Sequence, residues 1–184
     1  MSFQFFLSCL YFFLPAYFVN TAPPLAKRIG FFNFLNKEVD FKKRFMGQPI
    51  LGSHKTWRGV IFGMLMGFLA VFFQRWLFQF SGPKSISFLD YSRINLIFFG
   101  FLISAGAIFG DLFFAFVKRR LKLEPGAVFI PFDQTNYVIG AAIFLTPFFK
   151  IEILIWATLF IATFVLHVIF NRLGYHLGVH KNKW

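Results

Sequence analysis

Residues 106–136 read Gly106-Ala-Ile-Phe-Gly-Asp-Leu-Phe-Phe-Ala-Phe-Val-Lys-Arg-Arg-Leu-Lys-Leu-Glu-Pro-Gly-Ala-Val-Phe-Ile-Pro-Phe-Asp-Gln-Thr-Asn136. An aspartate, Asp111, stands inside an apolar run that is long enough to be a helix crossing a bilayer. Four cations follow within three turns, and a second aspartate, Asp133, lies beyond a Pro/Gly loop. A lone carboxylate in a membrane span costs about 2.5 to 3.5 kcal/mol on insertion scales, so Asp111 marks a functional site unless a partner neutralises it. Acidic groups suited to a divalent metal beside cations suited to phosphates are the parts of a phosphoryl-transfer site at a membrane surface.

Composition settles the class around this stretch. The chain is 58% hydrophobic and 14% charged, with 33 phenylalanines in 184 residues, which is too apolar for a soluble domain of this length. The single cysteine, Cys9, excludes an intrachain disulfide and reads as a buried or lipid-facing thiol without a redox role. A helix needs about 20 residues to cross about 30 Å of hydrocarbon. Against that measure the apolar segments are Phe3 to Val19, Val60 to Phe80, Ile94 to Val117, Tyr137 to Phe149 and Ile151 to Phe170. The fourth is short and carries Pro147, so four spans plus a re-entrant segment is the alternative. The expected fold is an all-α integral membrane protein of about five transmembrane helices, with cytoplasmic loops forming a polar site at the membrane surface. No repeat or low-complexity linker divides the chain, which reads as one domain over residues 1–184.

The first segment has no basic residue before it and no Ala-x-Ala-like site after it, so it is expected to remain in the mature protein. Its cations lie on the far side, in the loop from Asn20 to Gly59. Under the positive-inside rule that loop is cytoplasmic, and five crossings place the Lys118 to Lys122 loop and the tail on the same side. Fifteen of the 19 basic residues then face the cytoplasm, leaving Arg75, Lys84, Arg93 and Lys150 elsewhere. The N-terminus is expected outside and Trp184 inside, in the cytoplasmic membrane. The Lys42 to Arg44 run reads as orientation and headgroup contact. Gly59, Gly63 and Gly67 recur every fourth residue, and Gly106 and Gly110 repeat the spacing, a pattern that lets helix backbones approach closely.

Two constellations carry the polar chemistry. The first is Phe45-Met-Gly-Gln-Pro-Ile-Leu-Gly-Ser-His-Lys-Thr-Trp-Arg-Gly59. It is not a nucleoside-triphosphate P-loop, because Ser53 and His54 separate the second glycine from Lys55, whereas that motif aims amides and ammonium from one tight turn. Lys55, Thr56 and Arg58 at a helix start still offer charge, a hydroxyl and free N–H groups to a phosphate or metal; a juxtamembrane anchor with Trp57 as its interfacial ring is the plainer reading. The second runs from Asp111 to Asp133. At 100° per residue Lys118 falls within about 20° of Asp111 and Arg119 about 80° away, with Asp111 about 9 Å below the cytoplasmic end of its span. The Pro125-Gly126 and Pro131 bends are expected to return Asp133 and Gln134 toward that face. His167 reads as a helix–helix hydrogen bonder and the His176/His180 pair as surface.

These motifs carry a resemblance. The run Gly110-Asp-Leu-x-x-x-Phe-x-Lys-Arg-Arg120, followed by Pro-Gly and then Asp133-Gln134 ahead of an apolar helix, resembles the CDP-archaeol synthase family. These are integral membrane CTP-dependent cytidylyltransferases, distantly similar to phosphatidate cytidylyltransferases. Leu14-Pro-Ala-Tyr-Phe-Val-Asn20 with Pro23, Gly47-x-Pro-x-Leu-Gly52 with Lys55-Thr-Trp-Arg-Gly59, and Asn171-Arg-Leu-Gly-Tyr-His-Leu-Gly178 extend the likeness along almost the whole chain. The chain departs from the family pattern at Ala115, where Ser is usual, at Asn136, where a further Asp is usual, and at Lys183, where Pro is usual.

The resemblance implies that a lipid phosphomonoester, of archaeol type or phosphatidate, attacks the α-phosphorus of CTP and expels pyrophosphate to give a CDP-lipid. It implies Mg²⁺ held by Asp111 and Asp133, with Lys118 completing the catalytic set. Lys118 and Arg119, with Lys55, Thr56 and Arg58, are assigned to the phosphates, with Asn20 and Gln134 in supporting contacts and Arg120 turned to the membrane surface. The partners implied are CTP, a membrane lipid phosphate and the bilayer, without nucleic acid, and a homodimer is left open. A transporter or anion-binding protein without catalysis is the alternative of a different class; the lack of an inverted repeat argues against it.

Overall fold

In the computed structural model, which describes residues 2–30, 33–124 and 127–176, the chain is a bundle of five long helices. They are α1 (Phe3–Ile29), α2 (Trp57–Leu77), α4 (Leu96–Arg120), α5 (Phe132–Phe149) and α6 (Ile153–His176), with a short α3 (Ser81–Ser85) between α2 and α4. Local sequence explains their ends. Ser2, Thr56 and Asn95 each accept a hydrogen bond from the amide three residues on and so cap α1, α2 and α4. Gly30 ends α1 in the left-handed region at φ 72°, where a Cβ would be strained. The last turn of α4 carries Lys118, Arg119 and Arg120, and the first turn of α5 carries Asp133, each favoured by the local end of the helix dipole.

Among the described residues, four helices are long and apolar enough to cross a bilayer: Phe3–Ile29, Trp57–Leu77, Leu96–Arg120 and Ile153–Leu173. Helix α5 has 18 residues, a length of about 27 Å at 1.5 Å per residue. It begins five residues earlier than Tyr137, because Phe132 to Asn136 are helical rather than loop. The other expected limits also move: α1 runs ten residues past Val19, through Pro15, Pro23 and Pro24, and α6 continues to His176. A bilayer helix tolerates such prolines where neighbouring helices, Ser/Thr side chains and local backbone adjustments satisfy the backbone groups that proline frees. Besides an isolated bridge between Glu38 and Thr56, the strand pairing among the described residues is a two-residue ladder, β1 (Arg44–Phe45) with β2 (Gln48–Pro49), a hairpin the sequence did not announce.

Helix α1 lies at the centre and touches the other four long helices. Its Phe12 and Phe13 are fully buried, Phe13 stacking on Tyr137 of α5 at 5.8 Å and meeting Trp156 of α6 edge-on at 6.2 Å. Between lipid-embedded helices burial of apolar area drives little, since the acyl chains are equally apolar, and close packing decides which faces meet. The tightest approach is α4 against α5. A Cβ on Gly110 would stand 2.1 Å from the Asn136 carbonyl oxygen, and one on Gly140 2.1 Å from the Gly106 carbonyl oxygen, so only hydrogen fits at either place. The α2 stripe packs likewise, Gly59 against Pro23 and Gly63 against Val19. Near the other end of the bundle Gln74 is fully buried, yet its amide donates to the Tyr11 carbonyl and accepts from the Tyr91 hydroxyl at 3.1 Å. That satisfies a polar group which would otherwise be costly in hydrocarbon.

Candidate active site

The C-terminal ends of α1, α4 and α6 and the N-terminal ends of α2 and α5 meet at one end of the bundle, where, beside a mostly apolar cavity of about 400 Å³ between α1, α5 and α6, two adjoining polar cavities open. The larger, about 350 Å³, is lined by polar groups of four segments: His54 and Lys55 before α2, Asp111, Lys118 and Arg119 on α4, Asp133, Gln134 and Asn136 on α5, and His167 and Asn171 on α6. The smaller, about 200 Å³, lies between α1, α2 and α4. His54, Lys55 and Asp111 line both, so this group forms the partition between them.

Each of the two aspartates faces a lysine. Lys55 Nζ donates to both oxygens of Asp111 at 2.7 and 2.8 Å. Lys118 Nζ donates to both oxygens of Asp133 at 2.9 and 2.8 Å and also to the Ala127 carbonyl, while the Phe129 amide donates to Asp133 Oδ2 at 2.8 Å. Lys118 and Asp111, which share a helix face, therefore reach different partners. The pairs cross the bundle, α2 entrance to α4 and α4 exit to α5, and each joins a group expected on metal to one expected on phosphate. Such pairing removes the insertion penalty of Asp111 without burying a free charge.

Around these pairs lie buried groups without hydrogen-bond partners among the described residues. Arg119, Gln134 and Asn136 are 5%, 4% and 5% exposed, and Arg119 Nε, Gln134 Oε1 and Asn136 Oδ1 make no hydrogen bond. Leaving a buried polar atom unmet costs about 1 to 3 kcal/mol, so three in one cavity is a site prepared for something polar. The close α4–α5 approach at Gly110 and Gly140 is what brings Asn136 beside the turn of helix that bears Asp111.

The remaining expected residues fall in three places. Asn20 and Thr56 line the smaller cavity, where Thr56 also caps α2 by accepting from Gly59 N at 3.3 Å. Arg58 lines neither cavity; it is buried and donates to Asn33 Oδ1 at 2.8 Å, tying α2 to the short turn Asn33–Leu35. Arg120, expected at the membrane surface, is seated on the hairpin. It donates to the carbonyls of Phe45 at 2.7 Å and Pro49 at 2.6 Å, because the hairpin presents them beside the last turn of α4. His167 meets Asn171 of its own helix at 3.0 Å. His176 is exposed, whereas Pro125-Gly126, His180, Trp184 and the other residues of the tail past His176 lie outside the described residues.

Sequence reasoning missed His54, His167 and Asn171 as cavity residues, although an i, i+4 polar pair in the last turns of an apolar helix is a legible signal. It also missed Asp40. That buried carboxylate accepts from the amides of Leu51 at 2.8 Å, Gly52 at 3.2 Å and Lys42 at 3.1 Å, folding the loop so that Leu51 and Gly52 form part of the cavity wall. Burial pushes its pKa up, but the hydrogen bonds from Leu51, Gly52 and Lys42 together outweigh burial and hold it below the ordinary aspartate value.

Comparison with known proteins is consistent across sequence and fold. The family model described as CarS-like CDP-archaeol synthase matches residues 2–184. The CDP-archaeol synthase of Methanococcus maripaludis strain C6 is 31% identical over 179 residues, covering 96% of each chain. That of Methanosarcina mazei is 34% identical over 183 residues, covering 93% of this chain and 99% of the relative. A solved structure described as an intramembrane enzyme for archaeal membrane lipids biosynthesis superposes with a TM-score of 0.71 over 88% of this chain and 91% of that one, at 24% identity, a likeness of fold.

Proposed function

The chain belongs to the CDP-archaeol synthase family, and from that membership and the cavity's geometry we propose that it transfers the cytidylyl group of CTP to an archaeol-type lipid phosphate, releasing pyrophosphate. The observation that carries the reading is the pairing of Asp111 with Lys55 and of Asp133 with Lys118 inside one polar cavity at the end of a membrane bundle. In the reaction an oxygen of the lipid phosphomonoester bonds to the α-phosphorus while the bond to the β-phosphate oxygen breaks. The electron pair leaves on pyrophosphate, and charge is conserved without an added base. Attack of one anion on another needs neutralisation and alignment above all.

The residues present fit a magnesium ion. Two carboxylates and the unmet oxygens of Gln134 and Asn136 are hard donors. Among the described residues no three His, Cys, Asp or Glu side chains cluster, which suits a cation held by one or two carboxylates plus substrate phosphates rather than by a full protein cage. Asp111 and Asp133 would hold it, with Asn136 offering a carbonyl where the family pattern has a carboxylate. Bound there, it would neutralise triphosphate charge and polarise the α-phosphoryl group.

The chain's own groups do the remaining work. Lys55, Lys118 and Arg119 bind and align the triphosphate, Arg119 through a guanidinium whose Nε is already unmet. Asn20 and Thr56 face the smaller cavity across the Lys55–Asp111 partition and support whatever enters it. Arg58 acts at one remove, holding the start of α2 against Asn33. The site is proposed to open to the cytoplasm, N-terminus outside, on the distribution of basic residues; reporter fusions at the two ends check this orientation. Purified protein in detergent, given labelled CTP, Mg²⁺ and either an ether-linked or an ester-linked lipid phosphate, should release pyrophosphate, most strongly with the archaeol-type lipid. No release with either lipid would overturn the reading, since a transporter has no compartment to fill in detergent.

A further inference from the structure

The segment from Phe41 to Gly47 has no part in that chemistry, and its surface is unusual. Phe41, Phe45 and Met46 are 63%, 52% and 81% exposed, and the intervening Lys42, Lys43 and Arg44 are exposed too. None of the three cations makes an ion pair among the described residues. Phe41, Lys42, Met46 and Gly47 stand at positive φ, and the turn they make presents apolar side chains and unpaired cations together on one exposed segment.

The hairpin's position in the bundle says what surface it meets. Phe109, Phe113, Phe116 and Arg120 recur at i, i+4, i+7 and i+11 and so form one stripe along α4. Phe109 and Phe113 stand 41% and 46% exposed on the outside of the bundle, facing lipid. At the end of that stripe Arg120 lies over the rings of Phe116 and Phe45, 4.9 and 5.3 Å from their centres, and holds the hairpin by its carbonyls. On the other flank Phe41 touches Trp57 at 6.3 Å, and Trp57 begins a membrane span, where an indole ring favours the interface. The hairpin thus continues this exposed aromatic stripe past the end of α4, on the flank of the interfacial ring of Trp57.

We infer that the hairpin Phe41–Pro49 is a foot on the membrane surface that binds anionic lipid headgroups. Phe41, Phe45 and Met46 enter the acyl boundary, and Lys42, Lys43 and Arg44 take the headgroup phosphates. The charge complementarity is direct, since each basic residue at an anionic surface contributes about fivefold in affinity. Arg120 sets the foot's angle and does not itself face the lipid.

The test places a polarity-sensitive fluorophore on Met46→Cys; Cys9 is buried and does not compete for label. The full-length protein is reconstituted in vesicles of phosphatidylcholine alone and of phosphatidylcholine with a minority of phosphatidylglycerol, each carrying a nitroxide at the headgroup end of the acyl chain. Quenching by lipid nitroxide should be stronger in the anionic vesicles, and raising salt should remove the difference by screening. The triple change Lys42→Gln, Lys43→Gln, Arg44→Gln should remove it as well, and because salt acts on the unsubstituted foot the result does not rest on the variant folding. Equal quenching in both vesicles would overturn headgroup binding. Protection from aqueous iodide without lipid quenching would overturn it too, and would point to a second copy of the chain covering the foot.

Discussion

Replacing Lys55 with methionine should tighten the binding of a divalent cation alone and weaken the binding of CTP, two effects of opposite sign from one substitution. Asp111 is saturated by two charge-assisted hydrogen bonds from Lys55 at 2.7 and 2.8 Å, so a cation that takes this carboxylate must displace the ammonium first. Hydrogen bonds to charged groups are worth about 1.5 to 3 kcal/mol. The side chains are 25% and 34% exposed, and water screens part of that. About 1 to 1.5 kcal/mol is left, or about 5- to 12-fold in a dissociation constant. Triphosphate oxygens would relieve the cost in the unsubstituted protein by drawing Lys55 away, so cation and nucleotide should each tighten the other by the same factor. Mn²⁺ serves as the probe, its free signal followed by electron paramagnetic resonance with and without CTP. The expected result is weak Mn²⁺ binding alone, tighter binding with CTP, and about 5- to 12-fold tighter binding alone in Lys55→Met. If Lys55→Met leaves the affinity for Mn²⁺ alone unchanged, the ion pair does not compete with the metal and the exchange argument fails.

Asp111→Asn and Asp133→Asn should each lower turnover at least about 100-fold while leaving the protein inserted, because an amide keeps the shape but not the anionic ligand; assays at raised Mg²⁺ check that the loss is of metal affinity. Gly140→Ala should lower thermal stability in detergent by about 1 to 3 kcal/mol, since the added methyl meets the Gly106 carbonyl oxygen at 2.1 Å and must separate α4 from α5; an unshifted midpoint would show that the helices give way freely. Asp40→Ala should open the loop before α2 and raise its rate of proteolytic cleavage. Because the folded-state pKa of Asp40 is lowered, its contribution is present in full above the ordinary value of 3.8 and is lost as pH falls through the lower folded value. Loop protection should therefore be flat from neutral pH down to about pH 4 and fall only below it.

The membrane class, the helical fold, the glycine stripes and Asp111 as a site marker were legible in the chain because each is a local property. A carboxylate among phenylalanines is costly wherever it lies, and small residues every fourth position face one way on any helix. The order of motifs also carried the family resemblance. What the sequence could not settle is which charges meet. A helix wheel puts Lys118 beside Asp111, yet Lys118 reaches Asp133 from the next helix and Asp111 receives Lys55, 56 residues away. Those choices depend on how far α4 and α5 interpenetrate at Gly110 and Gly140, and on the loop that Asp40 folds, neither of which is encoded in spacing along one helix. The helical start of α5 at Phe132 and the seat of Arg120 on the hairpin carbonyls were hidden for the same reason. Their local sequence is compatible with loop or with a membrane-surface cation, and only the neighbours present after packing make helix and hairpin contact the lower-energy outcome.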